Sequence, residues 1–75
     1  MGIEIKMFAT LAKYLPENHE DYPIDAGETI RSLIEKLGVP EKDVTLMFIN
    51  SLRSDHDAEI KDGDRVGLFP PVGGG

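Results

Sequence analysis

Apolar and polar side chains alternate at the start of the chain, which predicts a strand with one buried face. Ile3, Ile5 and Met7 fall on one side of this strand. Phe8 falls on the other side, with the polar residues. The pattern therefore predicts an aromatic side chain on the outward face of the first strand.

The same alternation returns over residues 65–69, where Val66 and Leu68 share one side and Phe69 lies on the other. Gly63, between two aspartates, predicts a turn with a positive φ just before this strand. Two outward phenylalanines, Phe8 and Phe69, predict a contact patch for a partner. An error in strand register is the competing interpretation.

Between these strands, apolar residues recur at helical spacing. The positions are Ile30, Leu33, Ile34 and Leu37. Intervals of three and four residues predict an amphipathic helix, with Thr29 as its cap and Gly38 at its end. This helix is expected to pack on a sheet.

Shorter elements complete the predicted fold. They are a helix over residues 11–15 capped by Thr10, strands over residues 22–26 and 45–49, and a short strand over residues 52–54 after a turn at Asn50-Ser51. Strands at both ends and one long helix predict the α+β class, with the helix across one face of a sheet. The pattern leaves the order of strand pairing open.

The composition of the chain excludes several classes of function. The chain has 75 residues and no cysteine, which predicts one small domain without disulfides or thiolate chemistry. It contains no apolar run of the roughly 20 residues that a bilayer requires, and we expect a cytoplasmic location. A net charge of −6 argues against nucleic acid. Acidity can instead steer a basic protein partner to the chain, or simply maintain solubility.

Several polar residues are candidates for catalysis or metal binding, but we interpret most of them as surface or turn residues. His19 and His56 are far apart in sequence and are interpreted as surface residues of polar loops. Asp55-His56-Asp57 predicts a turn, because one short loop supplies too few ligands for a metal. Lys61 and Arg65 either meet an acidic groove or face solvent.

The last residues carry the most distinctive chemistry of the chain. They read Phe69-Pro70-Pro71-Val72-Gly73-Gly74-Gly75. Glycines form a thin thread that can enter a narrow site, and the prolines stiffen its exit. The carboxylate of Gly75, presented without side chains around it, suits activation as an acyl adenylate. A frayed terminus or a cloning remnant is the alternative.

Taken together, these residues resemble the MoaD/ThiS-type ubiquitin-like sulfur carriers, and within them the small subunit of molybdopterin synthase. The resemblance is carried by Met7-Phe8-Ala9-Thr10-Leu11-Ala12, Phe48-Ile49-Asn50, Lys61-Asp62-Gly63-Asp64-Arg65-Val66 and the final run from Phe69 to Gly75. It implies a β-grasp domain over residues 1–69, a mixed sheet with one main helix. It also implies a flexible tail over residues 70–75.

The resemblance further implies a carrier cycle in which the chain itself is not an enzyme and binds no cofactor. An E1-like adenylating enzyme uses ATP and magnesium to adenylate the carboxylate of Gly75, and a persulfide sulfur donor replaces AMP to leave a thiocarboxylate. The large subunit of molybdopterin synthase then accepts the tail and uses its sulfur to build molybdopterin, for a molybdenum or tungsten cofactor. No nucleic acid or membrane takes part.

Individual residues acquire roles by the same resemblance. Gly74 and Gly75 match the terminal diglycine, and Phe8 and Phe69 match aromatic positions that face the large subunit. The residues implied to thread into the partner are Pro70, Pro71, Val72, Gly73 and Gly74.

Three features depart from the molybdopterin carriers or leave the pathway open. Gly73 adds a third glycine before the terminal pair, the run from Val72 to Gly75 also occurs in thiamine carriers, and Arg53 lies near an often apolar interface position. Three alternatives therefore remain: a thiamine-pathway carrier, a protein modifier conjugated through Gly75 to lysines, and a plain interaction domain with an inert tail.

Overall fold

Four strands form one mixed sheet in the computed structural model, which describes residues 2–71. The strands are β1 (Glu4–Met7), β2 (Leu46–Ile49), β3 (Leu52–Ser54) and β4 (Arg65–Phe69). Their order is β1-β4-β2-β3, with β1 parallel to β4 and the other neighbours antiparallel. The predicted α+β class is confirmed, and the first and last strands lie side by side.

Helix α1 (Ile30–Leu37) has the boundaries that the apolar spacing predicts. The hydroxyl of Thr29 accepts a hydrogen bond from the backbone N–H of Ser32 at 3.2 Å, and the hydroxyl of Ser32 accepts one from the N–H of Thr29 at 3.0 Å. This reciprocal pair satisfies two N–H groups that the first turn leaves free. Gly38 ends the helix in the left-handed region, at φ 77°.

The core lies between α1 and one face of the sheet. Its fully buried side chains are Ile3, Ile5, Leu11, Ile30, Leu33, Ile34, Ile60, Val66 and Leu68, with Met7, Val39, Val44 and Met47 nearly as enclosed. The alternations predicted for β1 and β4 are therefore confirmed. The opposite face of the sheet, which we call the outer face, is not covered by α1.

The cap predicted for the short first helix is wrong. A 3₁₀ helix runs over Ala9–Tyr14, and Phe8 occupies its cap position without a side-chain hydrogen bond. Ala9 takes a left-handed φ of 53°, so the chain turns directly out of β1 and Leu11 donates to the carbonyl of Phe8 at 3.1 Å. Because the helix starts two residues earlier than expected, Thr10 lies inside it.

The strand predicted over residues 22–26 is also wrong. Only Tyr22 pairs with a neighbour, exchanging two backbone hydrogen bonds of 2.9 and 2.8 Å with Ile3. Beyond this pair, residues 23–26 form no further bridge to a neighbouring strand, and the chain turns at Gly27, whose φ is 81°. Proline fixes φ at about −65°, which departs from the angle of a regular antiparallel strand. The apolar alternation is present here, but the backbone leaves the strand after one pair.

The predicted turns are confirmed. Gly63 has a φ of 90°, and the turn it forms leads into β4. Asn50 and Ser51 join β2 to β3 with φ values of 54° and 71°, which are the left-handed angles of a type I′ hairpin. A second 3₁₀ helix covers Glu41–Asp43, and β2 begins one residue later than predicted. No helix within residues 2–71 is long and apolar enough to cross a bilayer.

Candidate functional site

Three phenylalanines come together on the outer face, and we call Phe8, Phe48 and Phe69 the aromatic patch. The rings of Phe8 and Phe69 stack with centroids 4.3 Å apart and planes 7° from parallel. Phe48 meets Phe69 edge-on, at 5.6 Å and 79°. Stacked and edge-on contacts are both common between aromatic rings, so the three side chains form one continuous apolar surface.

Strand register assembles the aromatic patch. Met7 pairs with Leu68, and the N–H of Phe8 continues the ladder by donating to the carbonyl of Leu68 at 3.3 Å. The next residues, Phe8 and Phe69, therefore point outward side by side. Phe48 is opposite Gly67 on the neighbouring strand and points to the same side.

A shallow depression of about 340 Å³ surrounds the patch. Its lining includes Lys6, Ser51, Arg65, Val66 and Gly67 besides the three phenylalanines. A side chain built on Gly67 would reach only ordinary contact, 3.9 Å from Phe69 and 4.0 Å from Phe8. The glycine therefore opens the floor of the depression and is not required to avoid a clash.

The patch lies where the chain leaves the sheet. Phe8 is 41% exposed and Phe69 is half-buried at the end of β4. The next residue, Pro70, is buried, and Pro71 is exposed. The remaining predicted tail residues, Val72, Gly73, Gly74 and Gly75, lie outside the described residues.

Basic side chains surround the aromatic patch. Lys6 and Arg65 line the depression, and Arg53 is opposite Phe48 in the β2–β3 register. The ammonium of Lys6 lies 3.8 Å from the carboxylate of Glu4, at the limit of an exposed ion pair. The surface that the sequence predicts as a partner contact is therefore both apolar and cationic.

The one buried charged side chain among residues 2–71 lies on the helix side, away from the patch. Glu28 is 5% exposed, and its carboxylate accepts hydrogen bonds from the hydroxyl of Ser32 and from the ammonium of Lys36, the latter at 2.7 Å. Burial raises the pKa of Glu28, but the hydrogen bonds and the charge of Lys36 outweigh burial and leave the pKa below its ordinary value. This group holds the loop before α1 to the helix.

The other candidate residues stay apart. The backbone carbonyls of His19 and His56 accept hydrogen bonds from Ile5 and Arg31, respectively. In the predicted turn, the N–H of Asp57 donates to the carboxylate of Asp55 at 3.0 Å. Within residues 2–71, no three acidic, histidine or cysteine side chains are placed to hold a metal ion.

Sequence reasoning missed Phe48 as a member of the patch. The strand that carries it reads Leu46-Met47-Phe48-Ile49, so apolar residues stand on both of its faces. The alternation that selected Phe8 and Phe69 is absent here, and only the structure shows that Met47 is buried and Phe48 lies on the other face. Its contact with Phe69 also depends on the order of strands, which the pattern did not supply.

Comparison with models of known protein families shows which family the chain belongs to. The family model described as the ThiS family matches residues 5–75, nearly the whole sequence. The chain belongs to the ThiS family. Small ubiquitin-like carriers of the ThiS/MoaD type share this fold, and the predicted resemblance is confirmed.

Solved structures support the same fold. A Pyrococcus furiosus protein assigned to molybdopterin converting factor, subunit 1, is 28% identical, with a TM-score of 0.68 over 93% of this chain and 97% of that protein. Two structures of small archaeal modifier protein 1 from Haloferax volcanii are 22% and 23% identical, with TM-scores of 0.68 and 0.65. They cover 93% and 97% of this chain, and 97% and 98% of their own. The β-grasp fold is confirmed.

No curated protein matches the chain in sequence at a significant level.

Proposed function

We propose that the chain is a sulfur carrier whose terminal carboxylate, on Gly75, is adenylated and then converted to a thiocarboxylate. The sulfur would be donated to the synthesis of molybdopterin. The observation that carries the proposal is that the ThiS family match extends to Gly75, so it includes the glycine run as well as the folded domain.

The proposed chemistry is nucleophilic acyl substitution on the end of the chain. The carboxylate of Gly75 attacks the α-phosphorus of ATP, and pyrophosphate leaves. The terminal sulfur of a donor persulfide then attacks the acyl carbon, and AMP leaves from the resulting acyl disulfide. A second thiol, from a protein cysteine or an added reductant, breaks the S–S bond, which leaves the thiocarboxylate on Gly75 and a new disulfide between the thiol and the donor. In this scheme, the acyl group is supplied by the carrier, and the cations that stabilise the transition states are supplied by the activating enzyme and its magnesium.

In this proposal, the carrier is the non-catalytic small subunit of molybdopterin synthase, and the aromatic patch is its docking surface. Phe69 directly precedes the predicted tail, and the first residue of that tail, Pro70, is itself buried. A partner that covers Phe8, Phe48 and Phe69 would therefore hold the start of the tail in a fixed place. Buried aromatic anchors of this kind commonly dominate the energy of an interface.

The pathway has two competitors that use the same adenylate. A thiamine-pathway carrier would pass its sulfur to a different acceptor. A protein modifier would lose AMP to the amine of a lysine, which gives an isopeptide bond instead of a thiocarboxylate. The structural likeness to the Haloferax volcanii modifier is one of fold. The carrier cycle and the modifier cycle both begin with adenylation of the terminal glycine, so an experiment must distinguish them at the later step.

The proposal is tested by reconstituting the first two steps with the E1-like enzyme encoded in the same genome. Exchange of labelled pyrophosphate into ATP measures adenylation of the chain. After a persulfide donor and a thiol reductant are added, intact-mass analysis is expected to show one oxygen replaced by sulfur.

A matched control carries one alanine added after Gly75, and it is expected to fold normally but to support no exchange, because the reacting carboxylate has moved. Exchange by the extended chain, or its absence with the natural chain, would contradict the proposal. Addition of purified large subunit and of pyranopterin substrate then distinguishes molybdopterin synthesis from the other pathways. Conjugates to lysine without any thiocarboxylate would favour the modifier.

A further inference from the structure

The chain leaves the sheet just after Phe69, and an additional hydrogen bond holds the backbone there. Leu46 of β2 is the register partner of Phe69 on β4. Thr45, the residue before β2, also faces Phe69, because its N–H donates to the carbonyl of Phe69 at 2.9 Å. Two consecutive residues of one strand opposite one residue of the next are the arrangement of a β-bulge, which commonly ends strand pairing.

The carbonyl of Phe69 is the last backbone group that the sheet holds in the described part of the chain. Pro70 and Pro71 have no N–H to donate. Among residues 2–71, their carbonyls accept no hydrogen bond from another backbone N–H. The path of the chain beyond the sheet therefore starts from the position of the Phe69 carbonyl.

A fixed starting point matters because little chain follows it. Six residues, 70–75, come after Phe69, and the last of them carries the carboxylate that is proposed to react. Even fully extended, six residues span no more than about 22 Å. The position and direction of the Phe69 carbonyl therefore limit which points in a partner the carboxylate can reach.

The core of the domain fixes the position of Thr45. Val44, one residue earlier, is 2% exposed, and its N–H donates to the carbonyl of Glu41 at 3.1 Å. Glu41 in turn forms an ion pair with Arg31 of α1 at 3.4 Å. The side chain of Thr45 itself is exposed, so the contribution of this residue to the exit of the chain is its backbone N–H.

We propose that Thr45 is a positioning residue for the adenylation of Gly75. Its N–H holds the carbonyl of Phe69 in place before any partner binds, so the start of the tail is already ordered in the free chain. The inference rests on the proposed function, because it takes adenylation of Gly75 as the reaction that the ordered exit serves.

Ordering the exit in advance affects binding more than the chemical step. If the end of β4 were loose in the free chain, the activating enzyme would have to immobilise it, and that loss of conformational freedom would weaken binding. The same order is required in the bound chain both before and during the reaction. Loss of the hydrogen bond should therefore raise KM and leave kcat nearly unchanged.

Three variants isolate the hydrogen bond. Thr45→Pro removes the N–H, and Val44 already has the extended backbone that a residue before proline requires, with φ −110° and ψ 102°. Thr45→Ala removes the exposed side chain and keeps the N–H. Ile34→Val removes one methyl group from the core and leaves the exit of the chain intact, so it controls for a general loss of stability.

The measurement is pyrophosphate exchange by the purified activating enzyme at a series of concentrations of each chain. We expect Thr45→Pro to raise KM about fivefold and to keep kcat within about twofold of the natural chain, which is the effect of losing one ordinary hydrogen bond. Thr45→Ala and Ile34→Val should keep KM within about twofold, since both retain the bond. Thermal melting of each variant shows whether the domain is folded.

Two further measurements do not depend on the folding of Thr45→Pro. A chemically synthesised chain with an ester in place of the amide between Val44 and Thr45 lacks the same N–H without carrying a proline ring, and it should show the same rise in KM. In the natural chain, the amide hydrogen of Thr45 should exchange with solvent at least about tenfold more slowly than in an unfolded peptide.

An unchanged KM for the folded chain that lacks the N–H would overturn the role of Thr45. An equal rise in KM for Ile34→Val, or an unprotected amide at Thr45, would overturn it as well. Pyrophosphate exchange with the natural chain keeps this result separate from the proposed function. If the natural chain supports exchange and KM does not respond, only the positioning role is wrong, whereas a natural chain that supports no exchange contradicts both.

Discussion

On the helix side of the molecule, Lys36 contacts the carboxylates of Asp25 and Glu28, whereas on the outer face Arg53 and Arg65 form no ion pair among residues 2–71. Apolar groups differ in the same way. Leu33 of α1 is 0% exposed, while Phe8 of the patch is 41% exposed. One side thus uses its side chains to hold the fold together, and the other leaves them available for contact.

The difference also appears in the backbone. Helix α1 begins with a reciprocal cap and ends at Gly38, so the left-handed backbone angle at its end falls on a glycine, which adopts it without strain. The outer face is bordered by Ala9 and Ser51, which take left-handed φ values of 53° and 71° without being glycine. Such angles disfavour residues with a Cβ, so both sites cost more conformational energy than the regular helix does. We interpret the two sides as specialised for folding and for recognition.

The largest expected effect is the difference in stability between a substitution in the core and a substitution at an exposed position. Leu33→Ala should lower the free energy of unfolding by about 2 to 5 kcal/mol, because it leaves a cavity in the core. Leu52→Ala, at a residue that is 71% exposed, should change it by less than about 0.5 kcal/mol. Urea unfolding followed by circular dichroism measures both. Similar losses at the two positions would contradict the division.

The next prediction concerns the buried carboxylate. Glu28→Gln removes the charge that Lys36 and Ser32 contact, and should cost about 1 to 2 kcal/mol at neutral pH. We expect the low part of this range if solvent screens Lys36, whose side chain is 43% exposed. Glu35→Gln, on the exposed face of the same helix, is the matched control.

The effect of Glu28 should depend on pH. Because its pKa is lower in the folded chain than in the unfolded chain, the stabilisation is complete above the unfolded pKa and is lost as pH falls through the folded one. The stability gap between the natural chain and Glu28→Gln should therefore close on acidification. A gap that stayed constant down to strongly acidic pH would argue against an ionised Glu28.

On the outer face, the corresponding prediction concerns binding. Phe69→Asp should weaken association with the large subunit of molybdopterin synthase by more than about 1 kcal/mol, because it places a charge among stacked rings. Phe69→Leu, which keeps the apolar character, should lose less. Isothermal titration with the purified large subunit measures both, and unchanged affinity of Phe69→Asp would count against the patch.

The smallest effect is expected at the hairpin beside the patch. Ser51→Gly should raise the free energy of unfolding by about 0.5 to 1 kcal/mol, because glycine adopts the left-handed angle without strain. Ser54→Gly, in the extended strand β3, should have the opposite sign. If Ser51→Gly destabilises the chain, the backbone at this edge is not strained.

How far the sequence predicts this structure depends on how local each feature is. The boundaries of α1, the turn at Gly63 and the inward faces of β1 and β4 follow from residues close together in the chain, and all are confirmed. The strand predicted over residues 22–26 does not form, because Pro23 restricts φ and the chain turns at Gly27. The predicted start of the first 3₁₀ helix was wrong, because Ala9 adopts a backbone angle that its residue type disfavours.

The candidate site divides in the same way. Alternation alone places Phe8 and Phe69 on the outer face, but their stacking requires β1 and β4 to be parallel neighbours, although they lie at opposite ends of the sequence. The row in which Lys6 and Arg53 flank Gly67 and Phe48 crosses all four strands and depends on the register of each. Burial of Glu28 likewise depends on packing that no local pattern reveals. The role of Gly75 stays a prediction.

The central claim is that the carboxylate of Gly75 is the reactive group of this protein. Its most direct test is the intact mass of the chain isolated from its own cells under conditions that preserve thioesters and thiocarboxylates. We expect a population in which one oxygen is replaced by sulfur, and we expect this population to disappear when the gene for the activating enzyme is deleted. If the chain is never modified at its end while that enzyme is present and active, the carboxylate of Gly75 is not the reactive group.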